Sequence, residues 1–515
     1  MEHGDGAVHP RPRAFMQCFN GRLIYAVTLI ALSQLNFGMD QGAFSGTQAM
    51  TSFEQKFGVW DEGKGKFVIE PYYLSLLNSL NYIGFAFGLV SGNLISRWWG
   101  RRRCMLVMCC WALVAAIILV TAQHRAQMLV GRIIAYVYIG MELALVPVLQ
   151  SELVPARVRG FVVGTYQSGL LFGQLTMALI CQRTAKIEGE ASWRIPLGLF
   201  FIVPSILICG VWFLPESPRW LLLQDQPDAA MASLRLLREG KFTDEEIEAE
   251  FQEIKGTINL TVDRGRFKEQ FRGTNLKRTL IVVGVNVFLQ LTGQNFSSIY
   301  GTIFIKSLNT INPFAMNSIN SGVNIVMVFI TQALTDMTGR VPLMVAGAAV
   351  QCTALFTMGA LGTISSPSPE VKKAITAMVT VFGVGFQLGW APLSHVVAAE
   401  IPTTRLRDLT YAVGSVFNIT IQFAVSFSIP YLLNAPYANL GSKVGFIFGT
   451  TAFGAVIFSW FCIPECSGKT LEEIDRLFLE GMAIKDFKKM GRVGDNGGLE
   501  AGGKVAEVDY EERAP

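Results

Sequence analysis

Residues 146–160 read VPVLQSELVPARVRG, and residues 398–409 read AAEIPTTRLRDL. Each places a glutamate, then a proline, then two arginines at the end of a long apolar segment. Proline stops a helix because it lacks an N–H and clashes with the preceding turn. The glutamate and the arginines therefore collect at a helix end, where they pair with each other or with exposed carbonyls. The echo is not isolated. Glu152 recurs as Glu400, PESPRW from 215 recurs as PECSGK from 464, and GRR from 100 recurs as GRV from 339, at offsets of 248, 249 and 239 residues. Offsets this similar divide the chain into two related halves.

The surroundings of the echo set the solvent. The 515 residues are 51% hydrophobic and 16% charged, with mean hydropathy +0.39, well below the charge content of soluble domains. Apolar stretches of about 20 residues, long enough to cross a bilayer, fall at 23–43, 73–95, 104–122, 127–150, 160–182, 194–214, 279–305, 315–336, 340–363, 372–397, 411–433 and 443–463. They lack apolar–polar alternation, so they are expected as helices, which satisfy their own backbone bonds, and not as barrel strands. The expected fold is an all-α membrane protein of twelve transmembrane helices in two pseudo-symmetric six-helix bundles. The expected divisions are an N-terminal segment 1–22, bundles 23–214 and 279–463, a charged helical linker 215–278, and a tail 464–515 largely disordered after about 490.

Basic residues concentrate on one side: Arg97 and Arg101–Arg103 after the second segment, Arg157 and Arg159 after the fourth, Arg405 and Arg407 after the tenth, with more in the linker and tail. The positive-inside rule then puts both termini in the cytoplasm, with the plasma membrane as the expected location. The net charge of +4 is thus topology, not nucleic-acid affinity. The first apolar segment follows Arg11, Arg13 and Arg22 without a small-residue cleavage site and is read as a retained helix. Nine cysteines, mostly inside apolar segments, suggest neither a disulfide framework nor a metal site. The sequons at Asn259, Asn295 and Asn418 fall in the linker or in helices, out of reach of glycosylation. No nucleophile–base constellation, metal cluster or phosphate loop is present, so an enzyme, a cofactor or ATP-driven transport is not expected.

Four motifs together, VPVLQSELVPARVRG, PESPRWL (215–221), DMTGR (336–340) and PECSGKTLEEID (464–475), make the chain resemble the sugar porters of the major facilitator superfamily, most closely fungal hexose and quinate-type permeases, over residues 20–475. The resemblance implies the major facilitator fold. It also implies a cytoplasmic charge network that breaks as the carrier opens inward, made of Arg101, Glu152, Arg159, Glu216, Arg219, Asp336, Arg340, Glu400, Arg407 and Glu465. In SRWWGRR the family's acid before the glycine–arginine pair is replaced by Arg97.

Sugars present hydroxyls that both donate and accept, which suits carboxamides, and apolar C–H faces, which suit aromatic rings. Polar side chains inside membrane helices are costly and usually face a cavity. By family register, Gln167, Gln290, Asn295, Tyr300 and Asn324 are expected to bind substrate, with Asn418, His395 and Trp390 added from the last helices. Departures are Leu289 for a glutamine, His395 and Ile419 for tryptophans, and Tyr136 for a glycine. Asp40 stands where proton-coupled members carry an aspartate, and Arg132 matches the fourth-helix arginine, so this pair is expected to carry the proton. Glu142, a second intramembrane acid, matches nothing in the family. The expected function is import of a monosaccharide or similar polyhydroxylated molecule by proton symport. The expected partners are that substrate, the proton and the lipid bilayer, with no protein partner evident. The alternatives are a facilitator or exporter of another small polar metabolite, such as a quinate-like acid or secondary metabolite, and a non-transporting sugar sensor.

Overall fold

The computed structural model describes residues 18–488 apart from 64, 261–265, 404, 468 and 470, and leaves a few helix side chains undescribed. Twelve long helices follow the apolar segments. In the first half they are α1 (Gly21–Thr47), α2 (Pro71–Trp99), α3 (Arg101–Val120), α4 (Arg125–Leu153), α5 (Ala156–Thr184) and α6 (Ala191–Val211). In the second half they are α7 (Gly273–Ser298), α8 (Pro313–Thr338), α9 (Arg340–Leu361), α10 (Pro369–Glu400), α11 (Arg407–Leu433) and α12 (Val444–Cys462). Eleven are long and apolar enough to cross a membrane. The remaining one, α5, has 29 residues but carries Gln167, Gln174 and Gln182, the mark of a helix that lines polar space. One departure from an all-helical chain is a small antiparallel hairpin, β1 (Val59–Asp61) and β2 (Lys66–Val68), turned at Gly65 with φ of 61° and clipped by a Trp60–Phe67 ring contact.

Helix starts are capped as the sequence dictates. Asn20 accepts from the Leu23 N–H at 2.7 Å, Asn312 from Phe314 and Ala315, and Ser368 from Val371, the last two with proline in the first turn. Packing within a bundle relies on glycine, because helices in lipid associate through close contact and not through expulsion of water. Gly38, Gly42 and Gly46 of α1 lie against α5, and Gly84, Gly88 and Gly92 of α2 against α4; a Cβ on Gly38 would sit 1.8 Å from the Leu170 carbonyl oxygen.

Two helices depart from regularity where they meet the centre. In α7 the helix stops at Leu291 and restarts at Gln294 through Gly293, whose φ of 95° is left-handed. In α10, residues Phe386–Trp390 form a π-turn, and the Gln387 carbonyl freed there accepts from Thr331 Oγ1 at 2.9 Å.

The linker helices belong to the first bundle. Arg238 donates to the Leu153 carbonyl at the end of α4 and pairs with Glu250, while Asn20 Nδ2 donates to Leu236 and Glu239. The helix Leu471–Leu479 docks on the second bundle, where Arg278 pairs with Asp475 and lies over the Phe478 ring.

Candidate transport site

Between the bundles lies a cavity of about 190 Å³. Gln41 and Ser45 of α1, Gln167 and Gln174 of α5, and Gln290, Gln294, Ser297 and Ser298 of α7 reach it. Asn317, Asn320, Ser321 and Asn324 of α8, Gln387 and His395 of α10, and Gln422 of α11 complete the polar wall. Ten carboxamides therefore face one space, and none of the described lining residues is an acid, a lysine or an arginine. Several amides bond to one another or to hydroxyls: Gln174 Nε2 donates to Gln41 Oε1 at 2.6 Å, and Thr380 Oγ1 to Asn320 Oδ1 at 2.7 Å. Others keep free capacity, since the buried Oε1 atoms of Gln290 and Gln387 have no partner. The two irregular helices explain the wall. The break in α7 swings Gln294 and Ser297 inward beside Gln290, and the π-turn of α10 brings Gln387 forward.

Of the substrate residues read from sequence, Gln167, Gln290, Asn324 and His395 line this cavity. The other four stand behind it. Asn295 donates to Ser426 Oγ at 2.6 Å and Tyr82 Oη at 3.3 Å, joining α7 to α11 and α2. The Tyr300 hydroxyl donates to the Ser426 carbonyl at 2.8 Å. Asn418 bridges Gln290 and Asn286, so it orients a lining amide without lining the space itself. Trp390 is wholly buried against Phe288. The sequence reading passed over Gln41, Gln174, Gln294, Asn317, Asn320, Gln387 and Gln422, although each is an amide within an apolar segment.

Asp40 and Arg132 do meet. Arg132 Nη1 donates to both Asp40 oxygens, at 3.1 and 3.0 Å, and the pair is almost fully buried. The guanidinium also lies 3.4 Å from the Phe44 ring centroid and 4.8 Å from that of Tyr136. Asp40 faces Asn36, Ala112, Ala135 and Tyr138 inside the first bundle, whereas its neighbour Gln41 faces the central cavity. One helix thus carries the ion pair on one side and a cavity wall on the other.

The charge clusters at the linker end repeat in detail. Glu216 accepts from the backbone N–H groups of Arg101 and Arg102 at 2.9 and 3.2 Å, capping α3; Glu465 accepts from those of Arg340 and Val341 at 3.0 and 2.9 Å, capping α9. Gly100 and Gly339, with φ of 94° and 92°, make room for these carboxylates. The arginine side chains then reach the other acids: Arg101 grips Glu152 through Nε and Nη2 at 2.9 and 2.8 Å, and Arg340 Nη2 donates to Glu400 at 2.9 Å. Burial pushes the Glu216 carboxyl above its ordinary range, against the pull of the N–H groups of Ser217, Arg102 and Arg101. Each cluster lies within its own bundle and does not span the two. Arg219 is exposed, Arg407 is half-buried with Nε and Nη2 unpartnered, and the side chains of Arg159 and Asp336 lie outside the described residues.

Among the described residues, hydrogen bonds and ion pairs between the bundles gather at the opposite end. Lys306 donates to the Ala49 carbonyl at 2.8 Å and to Glu54 at 2.7 Å; Ser45 meets Thr302 at 3.1 Å, and Ser75 donates to the Phe427 carbonyl at 2.8 Å. The cavity is therefore sealed on the side away from the linker.

Two bundles around a polar cavity, sealed at one end, is the architecture of a carrier. The family described as Sugar (and other) transporter matches residues 26–478. The chain belongs to this family. The sugar transporter family is one of major facilitator proteins, which are not enzymes. A major facilitator-type transporter, ecdD, of Aspergillus rugulosus is 31% identical over 480 residues, covering 89% of this chain and 88% of that protein. The probable glucose transporter rco-3 of Neurospora crassa is 29% identical over 465 residues, covering 87% and 78%. In fold, this sugar transporter superposes on the inward open xylose transporter XylE of E. coli with a TM-score of 0.72 at 21% identity, covering 88% of this chain and 99% of that one.

Proposed function

We propose that the protein imports a neutral polyhydroxylated molecule, a monosaccharide or close relative, by alternating access in symport with a proton. The observation that carries the reading is the wall of ten carboxamides without a charged residue among those described. Amides donate and accept in the same group, which matches hydroxyls on either side of a ring. A quinate-like acid is disfavoured, because its carboxylate would enter a cavity whose described wall holds no lysine or arginine to meet it. The Asp40–Arg132 pair is the proton site: a buried aspartate holds its charge only while the arginine stays beside it, so a shift of α1 against α4 trades the ion pair for a proton. Because Gln41 on the same helix lines the cavity, a substrate-induced movement of α1 reaches Asp40 directly.

The basic linker side is assigned to the cytoplasm and the sealed end to the outside, with both termini cytoplasmic and the plasma membrane as the location. The described state is then open inward, and residues 23–214 and 279–463 are the moving units. The test is uptake of labelled hexoses, pentoses, disaccharides and quinate into proteoliposomes, with and without an inward-acid gradient. A sugar should accumulate above equilibrium in the wild type and only equilibrate in Asp40→Asn. Quinate uptake without sugar uptake would overturn the substrate reading, and gradient-independent equilibration of the wild type would overturn symport.

A further inference from the structure

Glu142 lies on α4, ten residues from Arg132 and ten from Glu152, or about 15 Å along the helix from each. It is fully buried, and its Oε1 has no partner. Its Oε2 accepts from the Tyr166 hydroxyl of α5 at 2.9 Å. No described cation pairs with it. Of the ionisable groups, Tyr138 on α4 and Tyr166 on α5 interact with it directly; Cys109 on α3 stands beside Tyr138 and Tyr411 on α11 beside Tyr166, while Asp40 on α1 lies farther off beside Arg132; on α2, Tyr82 lies toward Arg132 and Arg97 at the linker end. Arg157 and Arg159 at the start of α5 have side chains outside the described residues. A carboxylate in such a place, with one hydroxyl and no counter-charge, is far costlier than the neutral acid.

Glu142 is also connected to Asp40. A cavity of about 20 Å³ is lined by Asp40, Asn36 and Tyr138. That is the space of one water molecule, and its wall is polar on this side. Tyr138 stands one helical turn before Glu142, on the same face of α4. Its hydroxyl makes a long bond of 3.3 Å to the Ser33 carbonyl, has Asn36 as a second hydrogen-bond partner, and feels the charge of Glu142. On the other side, Tyr166 lies near Tyr411, whose hydroxyl is 3.3 Å from His395 Nδ1 in the central cavity. Polar groups thus run from the ion pair, past Glu142, to the transport cavity.

We propose that Glu142 is a second proton-holding station, taking the transported proton from Asp40 by way of Tyr138 and the water-sized cavity between them. The inference rests on the symport reading. In the forward step the Asp40 carboxyl gives its proton to a water in that cavity. The water passes one proton to the Tyr138 oxygen while the Tyr138 hydroxyl hands its own to the Glu142 carboxylate. Asp40 is left as a carboxylate beside Arg132, Glu142 becomes the neutral acid, and water and tyrosine are unchanged. Glu142 rests as the neutral acid: release of its proton toward the central cavity precedes this step and leaves a short-lived carboxylate, held by the Tyr166 hydroxyl, which the proton from Asp40 refills.

Two measurements on the full-length protein test this. The first is infrared difference spectroscopy of the purified protein through a pH titration, which needs no substrate. The wild type should show a carboxylic acid C=O band at neutral pH that Glu142→Gln removes and Tyr166→Phe shifts in frequency. An unchanged band in Glu142→Gln overturns the proposal. The second uses proteoliposomes with labelled D-glucose and D-xylose. Glu142→Gln should retain exchange of internal for external sugar within about twofold, while accumulation driven by an acid gradient falls at least tenfold; Glu142→Asp, which restores the titrating group, should recover part of it. Full accumulation by Glu142→Gln overturns the proposal, as does loss of exchange together with accumulation in both variants, which marks a structural role. If the wild type itself never accumulates either sugar while the infrared band still belongs to Glu142, symport and the relay fall together, and the protonated acid remains as a separate fact.

Discussion

Replacing Lys306 with glutamine should loosen the sealed end. The ammonium makes two bonds between the bundles, 2.8 Å to the Ala49 carbonyl and 2.7 Å to Glu54, with the paired side chains 28% and 20% exposed. A hydrogen bond to a charged group contributes about 1.5–3 kcal/mol, and an exposed ion pair about 0.2–1 kcal/mol. This contact is partly shielded, so about 2 kcal/mol is the expected loss, or roughly 30-fold in the equilibrium between closed and open. A wild-type ratio of about 99:1 would become about 3:1, leaving roughly a quarter of the molecules open at that end. The assay is the distance distribution between spin labels at Glu62 and Asn309, both exposed near the seal. The variant should gain a longer-distance population, absent in the control Lys186→Gln, whose lysine is exposed. A distribution superimposable on the wild type would refute the claim that Lys306 holds the seal.

Gly38→Val should cost about 3 kcal/mol or more, because its Cβ would meet the Leu170 carbonyl oxygen at 1.8 Å, and the loss should appear as a collapse of monodisperse protein in detergent. Gln167→Ala and Asn324→Ala should each weaken sugar binding by about 0.5–1.5 kcal/mol, roughly 2- to 13-fold, measured by equilibrium binding. Asn418→Ala should weaken it less than either, since Asn418 only braces Gln290. The Lys56 hydrogen bond, helped by Arg194, holds the Glu190 carboxyl below its usual range. Its contribution to stability is therefore present above the unfolded carboxyl's pKa of about 4.3 and is lost as pH falls through the lower folded value. The pair is well exposed, so Lys56→Ala should lower stability by no more than about 1 kcal/mol at neutral pH and by less once Glu190 is protonated, when only the Lys56 bond to Gln123 is at stake.

The charge motifs were legible because each half carries its own copy of the whole set. Glu216 and Glu465 cap the helices that start at Gly100–Arg101 and Gly339–Arg340, and the side chains of those two arginines hold Glu152 and Glu400. The helices themselves followed from apolar length, which a bilayer imposes whatever the partners. Rotation about each helix axis did not follow. Lipid and helix interface are both apolar, so hydrophobicity along α7 cannot tell which side faces the centre, and polar residues appear on both. Asn295 and Gln294 are neighbours, yet the left-handed Gly293 sends one to brace α11 and the other into the cavity. Register with a family names the position but not the direction in which a broken helix restarts. The inter-bundle seal was illegible for a related reason: Lys306, Ala49 and Glu54 are joined only by the docking of the two halves.

A cavity walled by amides has an electrical consequence. A neutral passenger feels neither membrane voltage nor ionic strength, so under the proposed symport each inward cycle carries one elementary charge, that of the proton. Every 100 mV of potential then supplies about 2.3 kcal/mol, enough to support roughly a 50-fold concentration of sugar. Each further unit of pH difference multiplies that limit by about ten. The cell's pumps would thus set how far the sugar is concentrated, and the amides of the cavity would decide which sugar is taken up.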